Sequence, residues 1–264
     1  MKPRRCRGTG EILPLLSRRP WDSHTGRKER TCWWNGKLGK NLGFNTNLIN
    51  FAVKVTSTVM RIGIFGGSFD PIHVGHAIIA QYVISSGIVD RLWFMVSPVN
   101  PLKADKQRQV ADTDRLRMVE MVSRPMEGVE TSAFEFTMPK PSYTIDTLNT
   151  LQEKFPNDEF YLIIGADNWT VFGKWRNSEE ILAKYHLLVY PRLGYEVSIP
   201  DDLKERVTLV DAPIIELSST VIRERLAKGL SVRYYVPDEV LEYIELKQLY
   251  HVNKTTENSE ISDG

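Results

Sequence analysis

From residue 60 onward, short apolar runs alternate with longer amphipathic stretches, and no other feature constrains the fold as tightly. The runs "RIGIF" (61–65), "RLWFMVS" (91–97), "FYLIIG" (160–165) and "HLLVYP" (186–191) are brief and bounded by polar or turn residues. Strands buried on both faces of a parallel sheet read this way. Between them, "HAIIAQYVISS" (76–86), "DTDRLRMVEMVSR" (112–124) and "TIDTLNTLQEKF" (144–155) read as crossover helices. In the second of these Leu116, Val119 and Val122 recur at helical spacing, with the charges on the other side. "RVTLVD" (206–211) reads as a last strand, and "STVIRERLAKG" (219–229) as a helix closed by Gly229. "PDEVLEYIELKQLY" (237–250) reads as a final helix with Pro237 in its first turn. With no internal repeat and no low-complexity linker, the expectation is one α/β domain, a parallel sheet with helices on both faces.

Charge divides the chain at Met60. Residues 1–59 hold 12 Lys and Arg against 3 Asp and Glu, a net charge of +9, whereas residues 60–264 hold 22 against 30, a net of −8. The leading segment lacks helical or strand periodicity, so residues 1–59 read as a non-functional or disordered extension and Met60 as the native start. An organelle transit peptide and a basic nucleic-acid arm are rival readings of the same bias; the first lacks an amphipathic stripe. Both cysteines, Cys6 and Cys32, fall in that segment, so no disulfide framework is implied and a reducing, cytoplasmic setting fits. No apolar run reaches the ~18 residues of a membrane span. Residues 60–254 are the expected catalytic domain, and the polar residues 255–264 a frayed tail.

The stretch "RIGIFGGSFDPIHVGH" carries the chemistry. A strand ending in Gly66 and Gly67 and leading into a helix builds an anion site, because glycine admits close backbone approach and the helix start offers unpaired N–H groups. His73 and His76 are spaced i, i+3, so both rings face one side if the helix begins near them. A histidine there can donate to a phosphoryl oxygen and gain charge as negative charge builds up. Gly75 removes a side chain where a nucleotide would pack. A metal pair is the competing reading, but of the five histidines, at positions 24, 73, 76, 186 and 251, no third stands nearby, and Asp70 is the only adjacent carboxylate. Further along, Ser218, Ser219 and Thr220 occupy a helix start, where hydroxyls cap N–H groups or meet phosphate, and Arg223 follows one turn later with a permanent charge.

Taken together, "GGSFDPIHVGH" and "LSSTVIRERL" resemble the two signatures of the nucleotidyltransferase superfamily: T/H-x-G-H, matched by residues 73–76, and I-S-S-T-x-I-R, with Leu217 replacing the isoleucine. The resemblance narrows to the nicotinate-nucleotide adenylyltransferases and covers residues 60 to about 254, implying a Rossmann-like nucleotidyltransferase fold. It implies nucleotide-binding roles for Gly66, Gly67, Ser68 and Phe69, and for Ser218, Ser219 and Thr220. "NPLKADK" resembles the loop whose basic residue, Lys103, faces the triphosphate. "DRLRMVEM" carries the typical Arg115 and Met118. "PSYTIDTL" places Tyr143 and Thr144 near the pyridine nucleotide. "IIGADNWTVFGKW" supplies Gly165 and Asp167 at a strand end and Trp175 to stack on the nicotinate ring, a pairing that suits indole against an electron-poor ring. "YHLLVYPRLGY" also resembles a family segment, but Leu193 stands where proline is usual, which weakens the carry-over to Arg192.

The resemblance implies that nicotinate mononucleotide attacks the α-phosphate of ATP, with His76, Arg223, His73 and Lys103 stabilising the developing charge. Mg²⁺ is expected to arrive with the ATP, held by phosphates and water rather than by a dedicated protein metal site. ATP and nicotinate mononucleotide are the implied partners, without nucleic acid or membrane; a homo-oligomer stays open. Other readings are adenylyl transfer to nicotinamide mononucleotide or phosphopantetheine, and a non-catalytic nucleotide sensor on the same fold.

Overall fold

The expected alternation of apolar runs becomes a six-stranded sheet. The computed structural model describes residues 59–98 and 110–250. Its strands are β1 (Arg61–Gly67), β2 (Arg91–Val96), β3 (Val129–Ser132), β4 (Glu159–Gly165), β5 (His186–Tyr190) and β6 (Val207–Leu209). Every neighbouring pair runs parallel, in the order β3-β2-β1-β4-β5-β6.

Helices cover both faces, as a parallel sheet without a solvated side requires. On one face, α1 (Val74–Ser85), α2 (Asp112–Ser123), α6 (Ser219–Ala227) and α7 (Asp238–Lys247) contribute Ile79, Met118, Ile222 and Val240 to a core that includes Phe65 of β1. On the other, α3 (Thr144–Lys154), the single turn α4 (Ala166–Trp169) and α5 (Ser178–Lys184) bring Leu148, Ala166 and Ile181 against Ile62 and Ile64. Period-2 alternation along β1 thus divides its side chains between the two cores.

The chain moves outward from β1 through β2 to β3, then crosses back to place β4 on the other side of β1. The C-terminal ends of β1 and β4 therefore flank the topological switch point, where sheets of this kind open a crevice for ligands.

Two elements escape the sequence reading. β3 has only Val129 buried among its four residues, so no apolar run announces this edge strand. α5 has seven residues and one buried side chain, Ile181, too few to display a period. Pro237 caps α7 rather than entering its first turn. Arg115 corrects the expectation that the charges of α2 face away from the core, because its side chain is fully buried. The extension of residues 1–59 (of which only Val59 is described), Lys103 and the polar tail lie outside the described residues.

Candidate active site

The turn after β1 is built by packing and by buried hydrogen bonds. A Cβ on Gly66 would meet nothing within 4 Å, so this glycine leaves open space beside the backbone. A Cβ on Gly67 would instead press on the Phe69 ring at 3.1 Å. Phe69 takes a left-handed φ of 45° and is only 2% exposed; its ring meets His76 edge-on at 5.0 Å. Phe69 is thus the floor under a histidine, and its side chain is not presented to a ligand. The buried Arg115 guanidinium donates to the carbonyl of Ser68, to that of Ser97 at 2.9 Å and to Asp112 at 2.6 Å. One cation so ties the loops that follow β1 and β2.

His73 is the N-cap of α1, with its ring stacked on that of His76 at 3.7 Å. The backbone N–H of His73 donates to Nδ1 of His76 at 3.2 Å, which leaves the neutral ring's proton on Nε2. Burial, with Arg192 as a second cause, lowers His73 to a pKa of about 4. Burial, His73 and Arg192 hold His76 well below the ordinary value. Both imidazoles are therefore neutral near pH 7, so the charge expected of them comes only with an anion beside them. Gly75 serves a purpose beyond the one read from the sequence: a Cβ there would meet the His73 ring at 3.0 Å and Ile215 at 3.3 Å. It makes room for the first histidine.

Arg192 joins this pair. It lines the narrow slot that holds both histidines, Tyr190 and Leu217. Its Nε lies 3.5 Å from Oδ1 of Asp167, and its guanidinium 5.5 Å from the Tyr190 ring centroid. Leu193, which stands where proline is usual, sits exposed in the turn with Gly194 at φ 80°. Sequence reasoning did not place Arg192 among the site residues, because its neighbour Leu193 departs from the family segment; the tertiary structure brings it beside the histidines. A side chain at Gly165 would run into the Asp167 carboxylate and the Tyr190 ring, so glycine at the end of β4 permits this close approach.

The start of α6 docks on the same turn. Ser218 accepts from the backbone N–H of Val221 at 3.3 Å, a cap. Ser219 donates to the Pro71 carbonyl at 2.9 Å, and Arg223 donates to the Asp70 carbonyl at 2.7 Å and to the Thr220 hydroxyl at 3.3 Å. The hydroxyl-rich motif thus locks α6 to the β1–α1 turn and holds Arg223 beside it.

At the switch point a cavity of about 420 Å³ opens, lined by Gly66, Gly67, Thr144, Gly165 and Trp175 among others. That is large enough for a mononucleotide-sized ligand. Trp175 leans on Phe172 at 5.3 Å, which fixes the indole at the rim. Tyr143, the N-cap of α3, lies under the Arg176 guanidinium at 4.5 Å. Glu135, Asn168 and Ser97 also line the cavity and carried no sequence signal. Among the described residues, no group of three His, Cys, Asp or Glu side chains is placed to hold a metal ion, and no helix is long and apolar enough to cross a membrane.

Comparison with known proteins agrees with this geometry. Residues 64–225 match the Cytidylyltransferase-like family. A protein of Bacteroides thetaiotaomicron, named a probable nicotinate-nucleotide adenylyltransferase, is 45% identical over 188 residues, which is 71% of this chain and 92% of the relative. One of Flavobacterium johnsoniae with the same name is 40% identical over 195 residues, 72% of this chain and 99% of the relative. Among solved structures, the nicotinic acid mononucleotide adenylyltransferase of Plasmodium falciparum, complexed with NaAD, shares the fold at a TM-score of 0.61 and 20% identity, covering 72% of this chain and 97% of its own. The parallel sheet, the histidine pair at its switch point and this similarity along almost the full length of its relatives make the chain a member of the nicotinate-nucleotide adenylyltransferases, within the Cytidylyltransferase-like family.

Proposed function

We propose that the chain transfers AMP from ATP to nicotinate mononucleotide, giving nicotinate adenine dinucleotide and pyrophosphate, a step of NAD biosynthesis. An oxygen of the 5′-phosphate attacks the α-phosphorus of ATP; the bond from that phosphorus to the bridging oxygen of the β-phosphate breaks, and pyrophosphate leaves with the bond's electron pair. No protein nucleophile takes part, so catalysis consists of positioning and charge stabilisation.

The observation that carries this reading is the stacked, neutral histidine pair at the start of α1, beside the glycine end of β1 and next to the switch-point cavity. His76 presents Nε2–H to a phosphoryl oxygen. Negative charge developing on the phosphates opposes the desolvation that keeps the rings neutral, so the pair takes up positive charge where it is needed. Arg223, held by the Asp70 carbonyl and Thr220, supplies a permanent cation at the same turn. His73 and Lys103 assist, and the ATP site spans the 66–69 and 218–220 segments. Tyr143, Thr144, Gly165, Asp167 and Trp175 serve the pyridine nucleotide. Mg²⁺ would come with the ATP, where it would neutralise charge on the phosphates without needing a dedicated set of protein ligands. Residues 60–254 suffice for the activity.

The test is pyrophosphate release by protein starting at Met60, supplied with ATP and magnesium and offered nicotinate mononucleotide, nicotinamide mononucleotide or phosphopantetheine in parallel. Turnover with the nicotinate substrate supports the reading. A folded sample silent with it, or active only with phosphopantetheine, refutes it.

A further inference from the structure

We propose that Tyr250 is a positioning residue for Arg223: its buried hydroxyl fixes Asp70, and Asp70 fixes the guanidinium beside the phosphates. The inference rests on the adenylyl-transfer reading above, in which Arg223 supplies the permanent cation, and adds the group that aims it. A guanidinium on a flexible stem stabilises developing charge well only where its direction is set beforehand.

Arg223 is aimed by a backbone oxygen. It donates to the Asp70 carbonyl at 2.7 Å, while its second terminal nitrogen reaches the Thr220 hydroxyl at 3.3 Å. The next carbonyl, that of Pro71, accepts the Ser219 hydroxyl at 2.9 Å, so residues 70 and 71 together seat the start of α6. Where those carbonyls point depends on how the turn itself is held. Asp70 is buried, and its Oδ1 accepts the Tyr250 hydroxyl at 2.8 Å. The carboxylate and the carbonyl belong to one residue, so a restraint on the first limits rotation of the peptide that Arg223 meets.

Tyr250 is itself firmly placed. The Tyr243 hydroxyl of α7 donates to Asp114 of α2 at 2.7 Å, and Val240 and Ile244 are buried in the same core as Met118 and Val122 of α2. Beyond α7 the Leu249 N–H bonds the Ile244 carbonyl at 2.9 Å, and Gln248 takes a left-handed φ of 51°. That turn carries the Tyr250 ring back into the core. A phenylalanine would fill the same space without burying a hydroxyl, so the polar group answers to Asp70. Burial and the Asp70 carboxylate hold the phenol in its protonated form against the opposing pull of Arg223 and Arg115, which places both guanidiniums within electrostatic reach of this pair.

The experiment measures kcat with ATP and nicotinate mononucleotide both saturating, in the wild type, Tyr250→Phe, Arg223→Ala and the double variant, at a temperature that thermal melts show to be well below unfolding. Tyr250→Phe is expected to lower kcat roughly five- to thirtyfold, part of the hundredfold or more that losing a phosphate donor costs, while KM for nicotinate mononucleotide stays within about twofold. Added to Arg223→Ala it should cost less than about twofold more, because its effect passes through the missing guanidinium. An unchanged kcat in Tyr250→Phe, or the same loss in both backgrounds, overturns the positioning role while the enzyme reading stands. Arg223→Ala turning over at the wild-type rate overturns the role of Arg223 and with it that of Tyr250. A wild type silent with the nicotinate substrate overturns the enzyme reading as well.

Discussion

The hydroxyl of Tyr250 donates a 2.8 Å hydrogen bond to Oδ1 of Asp70, joining the end of the described chain to the turn after β1 across 180 residues of sequence. Both partners are buried, and the Asp70 carbonyl is the acceptor that anchors Arg223. Burial and the Asp70 carboxylate push the Tyr250 phenol far above its usual range, so it remains a donor at any working pH. The ring reaches this position because Gln248 and Tyr250 both take left-handed φ values, 51° and 66°, where the chain leaves α7. Asp70 is thus held through its carboxylate by one end of the protein while its carbonyl holds a proposed catalytic cation.

Tyr250→Phe removes that donor and nothing else. It is expected to destabilise the fold by about 1–3 kcal/mol, the usual penalty for depriving a buried charged group of a partner. Combining it with Asp70→Asn should give less than the sum of the two single effects. Urea unfolding of the two single variants and the double variant checks this; strict additivity would mean that the pair is not coupled.

His76→Ala should leave a folded protein whose turnover falls at least about a hundredfold, the range expected for losing one donor to developing phosphate charge. The variant also removes the acceptor for the His73 N–H, so a stability loss of about 1 kcal/mol accompanies it. Single-turnover kinetics alongside a thermal melt separates the two effects, and near-normal turnover would rule out the role assigned to His76.

Acid should destabilise the protein through its buried histidines. An unfolded histidine binds its proton near pH 6.5, whereas burial and Arg192 depress His73 to about 4. As pH falls between these values the unfolded chain takes up a proton that the fold refuses, so stability declines across that window, by up to about 3 kcal/mol from His73 alone. His186 shifts in the same direction, so the comparison is made against His73→Gln, whose stability should vary less with pH. Equal slopes for the two proteins would contradict the depressed value.

Arg115→Met keeps the bulk of a buried side chain but leaves the Ser68 and Ser97 carbonyls without their donor. The expected loss is roughly 3–5 kcal/mol, the consequence of breaking a buried charge network. For a domain of this size that lowers the melting temperature by roughly 6–20 °C. A melt within a couple of degrees of wild type would show that the loops after β1 and β2 hold without it.

Much of the fold is legible along the chain because strands buried on both faces leave continuous apolar runs. β1, β2, β4 and β5 all announce themselves this way, and α2, α3 and α6 show their starts within a residue or two. β3 and α5 do not, since a four-residue edge strand and a two-turn helix bury one side chain each and leave no period to read. Arg115 is misread for a related reason: a charged residue on a helix is exposed by default, and only the strand-end carbonyls it meets across the fold make burial favourable.

The sequence by itself determined that a glycine-ended strand runs into a helix carrying two histidines, and that a hydroxyl-rich helix start with an arginine lies far downstream. Such features depend on neighbours within a turn or two, and local spacing records them. Tertiary structure alone decided that Ser219 and Arg223 would clasp the carbonyls of Pro71 and Asp70, that Arg192 would stand beside the histidines, and that Arg176 would lie over Tyr143. These contacts join residues brought together only when the parallel sheet forms, and the energies that hold them, desolvation and charge pairing, do not exist until the intervening water has been removed.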